Sequence, residues 1–430
     1  MLFARPFVGI EIFSFRLGEI LTGIGLVLTF GYLLTPKKIL IRYGLFLNDL
    51  CNLTLKCIVI TFFITGYIND FDLLNTYTYK SSSYIWSLGF LFLGLVTNIK
   101  NKIKIEYYFF VIILVPFFAY LFSSGNYPNV IIDFFKENSD KFQFLKASDV
   151  FIGYISVNFL LKYFIKSQNR RFFYFLISSS LFLPVFLYTS RGSFLGVLIY
   201  MAFEFIYSRR YIINNKRRII VYLLISGVVL SISVLRVDRS EFARAGLEEY
   251  LEISNAAQVT DSLGNILKEK ENVTVWMSFY WHYGRLESTD PTTNWRLDIW
   301  QDVVYDLVEE NRVLLGYGYN EIFPQMLDPE APGRLGKDGL NENVHNYFVN
   351  IIGRGGIIQL ILFILFHYSL VTYWKENVSN YQILMYIVPS FVVSSLDITM
   401  EGVQYPLIYY FFLYYFLKNS TKVKVVELYG

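Results

Sequence analysis

Two arginines and one histidine stand out because each lies beside a predicted membrane boundary. Arg191 lies in TSRGSFLG between two apolar stretches, Arg296 lies in NWRLDIW, and His345 precedes the long apolar run that opens with YFVNII. The rigid fork of a guanidinium group suits phosphate oxygens. A neutral imidazole can take a proton from a hydroxyl group. Together these residue types are suited to holding a phosphorylated substrate and activating an acceptor.

Each of these residues also has a simpler interpretation. An arginine at a helix end often packs its stem and keeps its charged head in water, and a lone histidine near a helix start is often structural. Arg354, in GRGGII, lies beside glycines that could serve only close helix packing. Asn346 could cap a helix or hydrogen-bond a polar ligand. The sequence has no Cys/His metal-ligand spacing, P-loop or dinucleotide fingerprint, so we predict no metal and no cofactor.

The elements that carry these residues are predicted to be membrane helices. Of the 430 residues, 54% are hydrophobic and 19% aromatic, more than one soluble core absorbs. We predict an all-α, polytopic membrane protein with about 11–12 transmembrane helices. Residues 1–17 are predicted to form an interfacial or partial helix. The candidate spans are residues 20–35, 52–68, 83–98, 105–122, 149–165, 172–188, 192–207, 219–235, 347–373, 383–398 and 403–417.

Basic residues predict the orientation of the chain, because short basic loops stay cytoplasmic. Such loops follow every second span, which leaves residues 236–345, the outer segment, on the extracytoplasmic side. This segment holds 20 of the 35 acidic residues but only 10 of the 38 lysines and arginines. The predicted domains are a transmembrane bundle of about eight spans over residues 1–235, the outer segment as a cap, and three spans over residues 346–430. Anionic lipid explains the basic remainder, so we predict no nucleic-acid partner.

The outer segment contains four of the six tryptophans and a clear amphipathic helix. We predict that this helix is capped by Thr293 or Asn294, and that a second helix covers residues 241–253. The acids of the segment form no recognisable catalytic pair, so none is chosen among Asp298, Asp302, Glu321 and Glu342. The predicted apolar stripe of the first helix is Trp300, Val303, Val304, Leu307 and Val308.

Three pieces of sequence, in this order, resemble the bacterial O-antigen polymerase and O-antigen ligase superfamily. They are TSRGSFLG at the start of a span, NWRLDIWQDVVYDLVEENRVLLGYGYNEIF in the outer segment, and NVHNYFVNIIGRGGIIQLILF at its exit. The resemblance is anchored over residues 189–366. Members of this superfamily are membrane glycosyltransferases of the GT-C type. The superfamily places pyrophosphate-binding arginines at the positions of Arg191 and Arg296, and its essential histidine at the position of His345.

The resemblance implies a metal-independent, inverting transfer of a glycan from undecaprenyl pyrophosphate to an acceptor sugar hydroxyl. The reaction is expected on the extracytoplasmic face of the bacterial inner membrane. We expect an O-antigen or surface polysaccharide polymerase. A ligase that transfers the glycan to lipid A core is the alternative within the class, and a transporter of lipid-linked oligosaccharides is the alternative outside it.

Several partners and substrate contacts follow from the same resemblance. The expected partners are the lipid-linked donor, a glycan or lipid A core acceptor, the bilayer and other polysaccharide assembly proteins. Asn346 and Arg354 are expected to contact the substrate. Aromatic rings stack on sugar faces, although simple packing of the cap is the other interpretation for each candidate. The aromatic candidates are Trp276, Trp281, Tyr317 and Tyr319.

Overall fold

The computed structural model describes residues 5–13, 15–43, 45–70, 72–93, 129–139, 146–239, 278–335 and 341–419. In these ranges the chain is helical with almost no sheet, which confirms the predicted all-α fold. The helices are α1 (Leu17–Leu34), α2 (Lys37–Arg42), α3 (Asp49–Ile68), α4 (Thr76–Ser81), α5 (Ser83–Trp86), α6 (Asn129–Asn138), α7 (Ala147–Phe164), α8 (Gln168–Thr189), α9 (Arg191–Asn214), α10 (Lys216–Arg239), α11 (Pro291–Glu309), α12 (Tyr347–Val378), α13 (Leu384–Ser394) and α14 (Gln404–Lys418).

Short strands and 3-10 segments complete the fold. Two antiparallel hairpins pair β1 (Glu11–Ile12) with β2 (Phe15–Arg16), and β3 (Phe279–His282) with β4 (Arg285–Ser288). The 3-10 segments are Arg5–Gly9, Ser87–Phe92, Pro324–Met326 and Pro332–Leu335. The predicted interfacial or partial helix over residues 1–17 is matched by the 3-10 segment Arg5–Gly9, whereas the first hairpin contradicts it at Glu11–Ile12 and Phe15–Arg16. Phe13, between the two strands, has a φ of +50°, which a right-handed helix does not accommodate.

Five of the predicted spans coincide with α1, α3, α8, α10 and α12. Within the described ranges these are the five helices long and apolar enough to cross a membrane. Five other predicted spans fall on shorter or more polar helices: α5 with the 3-10 segment behind it, α7, α9, α13 and α14. The predicted span 105–122 and the predicted helix 241–253 lie outside the described residues.

The membrane helices pack around an aromatic core. α8 packs against α10, α9 against α13, and α12 against α3. Trp86, Trp374, Tyr386 and Tyr409 are fully buried among these helices. On α10, by contrast, large apolar side chains such as Leu224 point outward. A helix can present such a face to lipid because all of its backbone hydrogen bonds are made internally.

The described part of the outer segment has a small core of its own. Ile299, Val303 and Leu307 of α11 pack with Phe323 and Val344. The predicted stripe is therefore right at Val303 and Leu307, but Val304 and Val308 are exposed. Those two side chains project about 100° further around the helix than the buried row.

The predicted caps of α11 are also corrected. The helix begins at Pro291, and the side chain of Asp290 caps it by accepting a hydrogen bond from the Thr293 N–H at 2.9 Å. Proline is well suited to the first helical position because its missing N–H would have no partner there. The predicted caps Thr293 and Asn294 lie inside the helix, past the capping position that Asp290 occupies.

The outer segment is joined to α12 by backbone hydrogen bonds. α12 is interrupted at Gly356, where φ is +71°. The freed carbonyl oxygens of Gly353 and Arg354 accept hydrogen bonds from the N–H groups of Tyr317 and Gly318, at 2.8 and 3.0 Å. A Cβ atom on Gly356 would lie 2.1 Å from the Leu314 carbonyl oxygen. Only glycine therefore permits this close approach.

Candidate functional site

Arg191 begins α9 and is ion-paired to the cap of α11. The Ser190 side chain caps α9, and Arg191 Nη1 lies 3.0 Å from Asp290 Oδ1. The arginine side chain is 49% exposed, whereas that of Asp290 is buried. Burial acts to raise the pKa of Asp290, but the hydrogen bonds from Thr293 and the charge of Arg191 outweigh it and lower the pKa. This ion pair connects the membrane bundle to the outer segment.

Arg296 lies one and a half turns into α11 and reaches the loop between α13 and α14. Its Nη1 donates a hydrogen bond to the Leu396 carbonyl oxygen at 2.5 Å. Its Nε is buried and has no hydrogen-bond partner among the described residues. No described carboxylate forms an ion pair with Arg296 within 4.0 Å. Burial lowers the pKa of Arg296, opposed by the charges of Asp397 and Asp290.

His345 lies at the entrance to α12 in the left-handed backbone region, with φ +56°. Such a conformation costs about 1–3 kcal/mol in a residue other than glycine and concentrates at functional sites. His345 Nε2 lies 3.2 Å from Asn341 Oδ1, and the ring packs edge-on against Trp295 with 5.2 Å between centroids. Burial, then the charge of Arg296, lowers the pKa of His345 to about 4.

The hydrogen bond of His345 indicates its tautomer. An amide oxygen accepts hydrogen bonds, so Nε2 carries the proton that bonds to Asn341. The other nitrogen, Nδ1, is then an unprotonated acceptor, and it is buried without a partner among the described residues. Because its pKa is low, His345 is neutral at pH 7 and can receive a proton.

The structure brings the three predicted residues to one location. Arg191 and Arg296 act electrostatically on one another and on Asp290, and the charge of Arg296 acts on His345. Close packing supports the same arrangement at the base of α9, where a Cβ atom on Gly192 would lie 2.9 Å from Leu396 Cβ. The cluster therefore forms where α9, α11, the start of α12 and the 395–403 loop meet.

Three charged residues of this cluster were missed by the sequence. Lys146, directly before α7, lies with its Nζ 2.9 Å from Asp397 Oδ1 and donates to the Ile398 carbonyl oxygen. Both side chains are largely buried, and both charges act on His345. In the same loop, burial raises the pKa of Glu401 to about 7, against the charge of Lys146. Nothing in the local sequence marks these residues, because their role depends on contacts with distant elements.

The charges of the cluster are unequally paired. Arg191 is held by Asp290 and Lys146 by Asp397, so Arg296 is the cation of the cluster that has no carboxylate of its own. Arg296 is also more enclosed than Arg191, whose side chain is 49% exposed. A charge in such enclosed surroundings interacts more strongly than one in water. A negatively charged ligand beside Arg296 would satisfy both its charge and its free Nε donor.

Asn346 and Arg354 have structural contacts that differ from the predicted substrate contacts. The Asn346 side chain caps α12 by accepting from the N–H groups of Phe348 and Val349, at 3.0 and 3.2 Å. Arg354 is buried, donates to the carbonyl oxygens of Gly318 and Glu321, and stacks 4.0 Å from the Phe323 ring centroid.

The aromatic candidates are separated by the fold. Trp281, on β3, is 74% exposed, whereas Tyr319 is fully buried and donates a hydrogen bond to Gln359 at 2.5 Å. Tyr317 packs in the small core of the outer segment and accepts a hydrogen bond from Gln325 at 3.0 Å. Trp276 lies outside the described residues. Of the described three, Trp281 alone presents most of its ring to solvent.

The acids of the outer segment that were considered at the sequence level have other partners. Asp302 accepts from Arg285 at 2.7 Å and from Arg334 at 2.5 Å. Glu342 is paired with Lys80 at 2.6 Å. The contacts of Asp302 lie within the outer segment, whereas the Glu342–Lys80 pair joins that segment to the bundle. In the part of the chain that is described, no group of three or more His, Cys, Asp or Glu side chains could hold a metal ion.

A comparison with protein families identifies the region that holds this cluster. Residues 173–364 match the family model described as O-antigen ligase. This match supports the similarity of the region to the O-antigen ligase and polymerase superfamily. The match contains Arg191, Arg296 and His345 and covers α9, α11 and the first half of α12, while Lys146, Asp397 and Glu401 lie outside it. A search of curated proteins found no match.

The family supports a coarse description of the activity. An O-antigen ligase or polymerase acts as a membrane glycosyltransferase in polysaccharide biosynthesis, with a lipid-linked glycan as the class of substrate. The membrane helices and the family together indicate a multi-pass protein of the bacterial inner membrane.

Proposed function

We propose that the chain transfers a glycan from undecaprenyl pyrophosphate to a sugar hydroxyl, and that the cluster around Arg296 is the active site. The observation that carries this proposal is the enclosed guanidinium group of Arg296, which lies 2.5 Å from one carbonyl oxygen and, among the described residues, has no carboxylate partner and no acceptor for its Nε. A pyrophosphate has the charge and the acceptor oxygens that such a group lacks. We place the reaction on the extracytoplasmic face, in agreement with the distribution of basic loops.

In the proposed reaction, the acceptor hydroxyl oxygen attacks the anomeric carbon of the donor. The bond from that carbon to the pyrophosphate oxygen breaks, and its electron pair leaves with the pyrophosphate. Arg296, with Arg191 beside it, stabilises the negative charge that develops on the leaving oxygens. The hydroxyl proton passes to Nδ1 of His345, which later releases it to water. Attack opposite the leaving group inverts the anomeric configuration.

Two features of the cluster suit this sequence of events. Burial, and then the nearby charge of Arg296, lowers the pKa of His345, so the imidazole is neutral before the donor binds. A bound pyrophosphate offsets that positive charge and makes the imidazole a stronger base when it is needed. Nδ1 is buried beside Trp295, so an acceptor reaches it only after part of its cover moves, which also limits hydrolysis of the donor by water.

The two arginines provide the charge stabilisation that a divalent cation gives in many other transferases, and on this basis we propose a metal-independent reaction. The acceptor that we propose is a second lipid-linked repeat unit, which makes the enzyme a polymerase. The same chemistry serves a ligase if the acceptor is lipid A core, so the acceptor must be varied in the test.

The test uses the purified full chain in lipid nanodiscs with a synthetic undecaprenyl-pyrophosphate oligosaccharide. One arm offers a second lipid-linked unit, one offers lipid A core, and each is run with and without EDTA. Longer lipid-linked glycans identify a polymerase, and modified core identifies a ligase. Loss of product with EDTA contradicts metal independence, and movement of the donor across the bilayer without a new glycosidic bond identifies a transporter.

Arg191→Ala provides the matched variant, with Arg312→Ala as its control. Arg191 begins α9, whereas Arg312 lies in the outer segment and pairs with Glu310 at 3.0 Å, away from the cluster. We expect Arg191→Ala to lose activity by about 100-fold, the scale of removing one charge-stabilising donor, while Arg312→Ala keeps it. Equal activity in the two variants would remove Arg191 from the mechanism.

A further inference from the structure

A polar cavity lies at the other end of the bundle from the Arg296 cluster. It has a volume of about 450 Å³ and lies between α7, α8, α9 and the segment before α13. Gln168, the first residue of α8, lines it, whereas Arg191 follows the last residue of that helix by two positions. The 22 residues of α8 rise about 33 Å, so the cavity is separate from the Arg296 cluster.

The cavity carries an excess of basic side chains. Lys162, Arg171 and Arg210 line it, against one acid, Glu204. Lys162 Nζ lies 3.1 Å from Glu204 Oε2, and both side chains are largely buried, so these two charges balance one another. By residue type, the lining therefore has two more basic than acidic side chains, since three basic residues face one acid. The planar donors of the two arginines suit the oxygens of a phosphate group.

The rest of the lining suits an amphiphilic ligand. Phe172, Phe175 and Tyr200 supply aromatic surface on one side of the cavity. On the polar side, Gln382 Oε1 is buried and has no hydrogen-bond partner among the described residues. A buried acceptor of this kind is costly to leave without a donor. A hydroxyl group on the ligand would satisfy it.

The position of the cavity favours a lipid over a soluble compound. Its arginines belong to the basic stretches around residues 166–171 and 209–218, which the positive-inside rule places on the cytoplasmic side. Basic pockets between membrane helices on that side commonly hold anionic lipid headgroups. We propose that this cavity binds the headgroup of a phospholipid that carries a phosphate and free hydroxyls, such as phosphatidylglycerol. The phosphate lies against Arg171 and Arg210, and a glycerol hydroxyl donates to Gln382.

The test measures lipid binding rather than activity, so its outcome does not depend on the proposed function. The purified full chain in detergent is titrated with phosphatidylglycerol or phosphatidylcholine, and bound lipid is followed by native mass spectrometry. Arg210→Glu is the test variant. Arg209→Glu is its matched control, because Arg209 is the neighbouring exposed arginine and does not line the cavity. Parallel titrations with inorganic phosphate and glycerol 3-phosphate test the soluble source.

We expect saturable binding of phosphatidylglycerol in preference to phosphatidylcholine. Arg210→Glu should weaken it by about tenfold or more, the scale of one charge-assisted hydrogen bond, whereas Arg209→Glu should change it less than about twofold. Gln382→Leu should reduce the preference for phosphatidylglycerol over phosphatidic acid, which lacks the glycerol hydroxyls.

Three results would overturn the assignment. Equal weakening in the Arg209 and Arg210 variants would mean general attraction of anionic lipid to a basic surface. Equal binding of the two phospholipids, which both carry a phosphate, would mean that the cavity recognises neither the net negative charge nor the glycerol hydroxyls of phosphatidylglycerol. Binding of glycerol 3-phosphate or inorganic phosphate without lipid retention would replace the lipid with a soluble phosphate compound.

Discussion

The outer segment meets the membrane helices in two places that are built differently. Around Arg354, backbone hydrogen bonds join α12 to residues 313–318, and the guanidinium group is surrounded by carbonyl oxygens and two aromatic rings. Around Arg296, the contacts are ion pairs between neighbours and a single carbonyl hydrogen bond. Both guanidinium groups have a buried Nε without a partner among the described residues, but Arg354 makes three hydrogen bonds and stacks on two rings, whereas Arg296 makes one hydrogen bond. The two buried arginines therefore differ in how many of their donors the protein already uses, and Arg296 keeps more of them for a ligand.

The largest expected effect in this comparison is that of Arg296→Ala on turnover. Removing the unpaired cation should lower kcat by about 100- to 1000-fold, because the leaving pyrophosphate loses a preorganised donor. The thermal melting temperature should change little, since one carbonyl hydrogen bond is lost. Arg354→Ala should do the reverse and destabilise the fold by about 2 kcal/mol or more, because buried carbonyl groups lose their donors. A fall in melting temperature for Arg296→Ala as large as that for Arg354→Ala would contradict the distinction.

The second prediction breaks the contact around Arg354 through its backbone. Gly356→Ala places a Cβ atom against the Leu314 carbonyl at a positive φ, so we expect a loss of about 3 kcal/mol of stability. Gly333→Ala is the control, because a Cβ atom there meets nothing within 4 Å. Thermal melting in detergent measures both. Melting temperatures that agree for the two variants would mean that the close approach at Gly356 is absent in solution.

The third prediction concerns the protonation of His345. Its pKa of about 4 depends on burial and then on the charge of Arg296. Arg296→Gln removes that charge, so the pKa should rise toward the ordinary value near 6.5, as measured by NMR of ¹⁵N-labelled histidine. A lowered pKa means that neutral imidazole is lost only as the pH falls toward 4. An unchanged pKa in the variant would separate His345 from the cluster.

The same pKa predicts the pH dependence of turnover. In the wild type, protonation of His345 should leave kcat/KM constant between pH 8 and about pH 5. Below about pH 5, kcat/KM should fall as His345 becomes protonated. Because bound pyrophosphate raises the pKa of a nearby base, the acid limb of kcat should lie at higher pH than that of kcat/KM. Coincident acid limbs would mean that donor charge does not reach His345.

The smallest expected effect is that of the exposed aromatic ring on β3. Trp281→Ala should leave the melting temperature unchanged and raise the KM for the glycan substrates by up to about tenfold, the scale of one ring contact. Tyr319→Phe removes a buried hydrogen bond to Gln359 and should cost about 1 kcal/mol of stability with KM unchanged. If Trp281→Ala leaves KM unchanged, the hairpin has no part in glycan binding.

Much of the architecture was predictable because it depends on local composition. The apolar runs at α3, α8, α10 and α12 are long enough to cross a bilayer, and this requirement can be read along the chain without knowledge of neighbours. The boundaries were less predictable. Asp290 and Thr293 are both suitable residue types for the cap of α11. The structure has Asp290 as the cap, and its carboxylate also pairs with Arg191 of another helix.

The candidate site was predictable in part for a similar reason. Arg191, Arg296 and His345 are conspicuous because charged and titratable groups are rare at membrane boundaries. Lys146, Asp397 and Glu401 are not conspicuous in sequence, and Asp302, one of the cap acids considered from the sequence, is paired with Arg334. Which carboxylate faces which cation is decided by helix packing.

By itself, the sequence determined that this chain forms membrane helices and carries two arginines and a histidine suited to phosphate chemistry. Hydrophobic length and the cost of charge near lipid act residue by residue, so they leave a local record. Only the tertiary structure decided that Arg296 lacks a carboxylate partner while Arg354 is enclosed by carbonyl oxygens, and that Tyr319 is buried while Trp281 is exposed. These differences arise from contacts between elements far apart in the chain, which identical residue types cannot reveal.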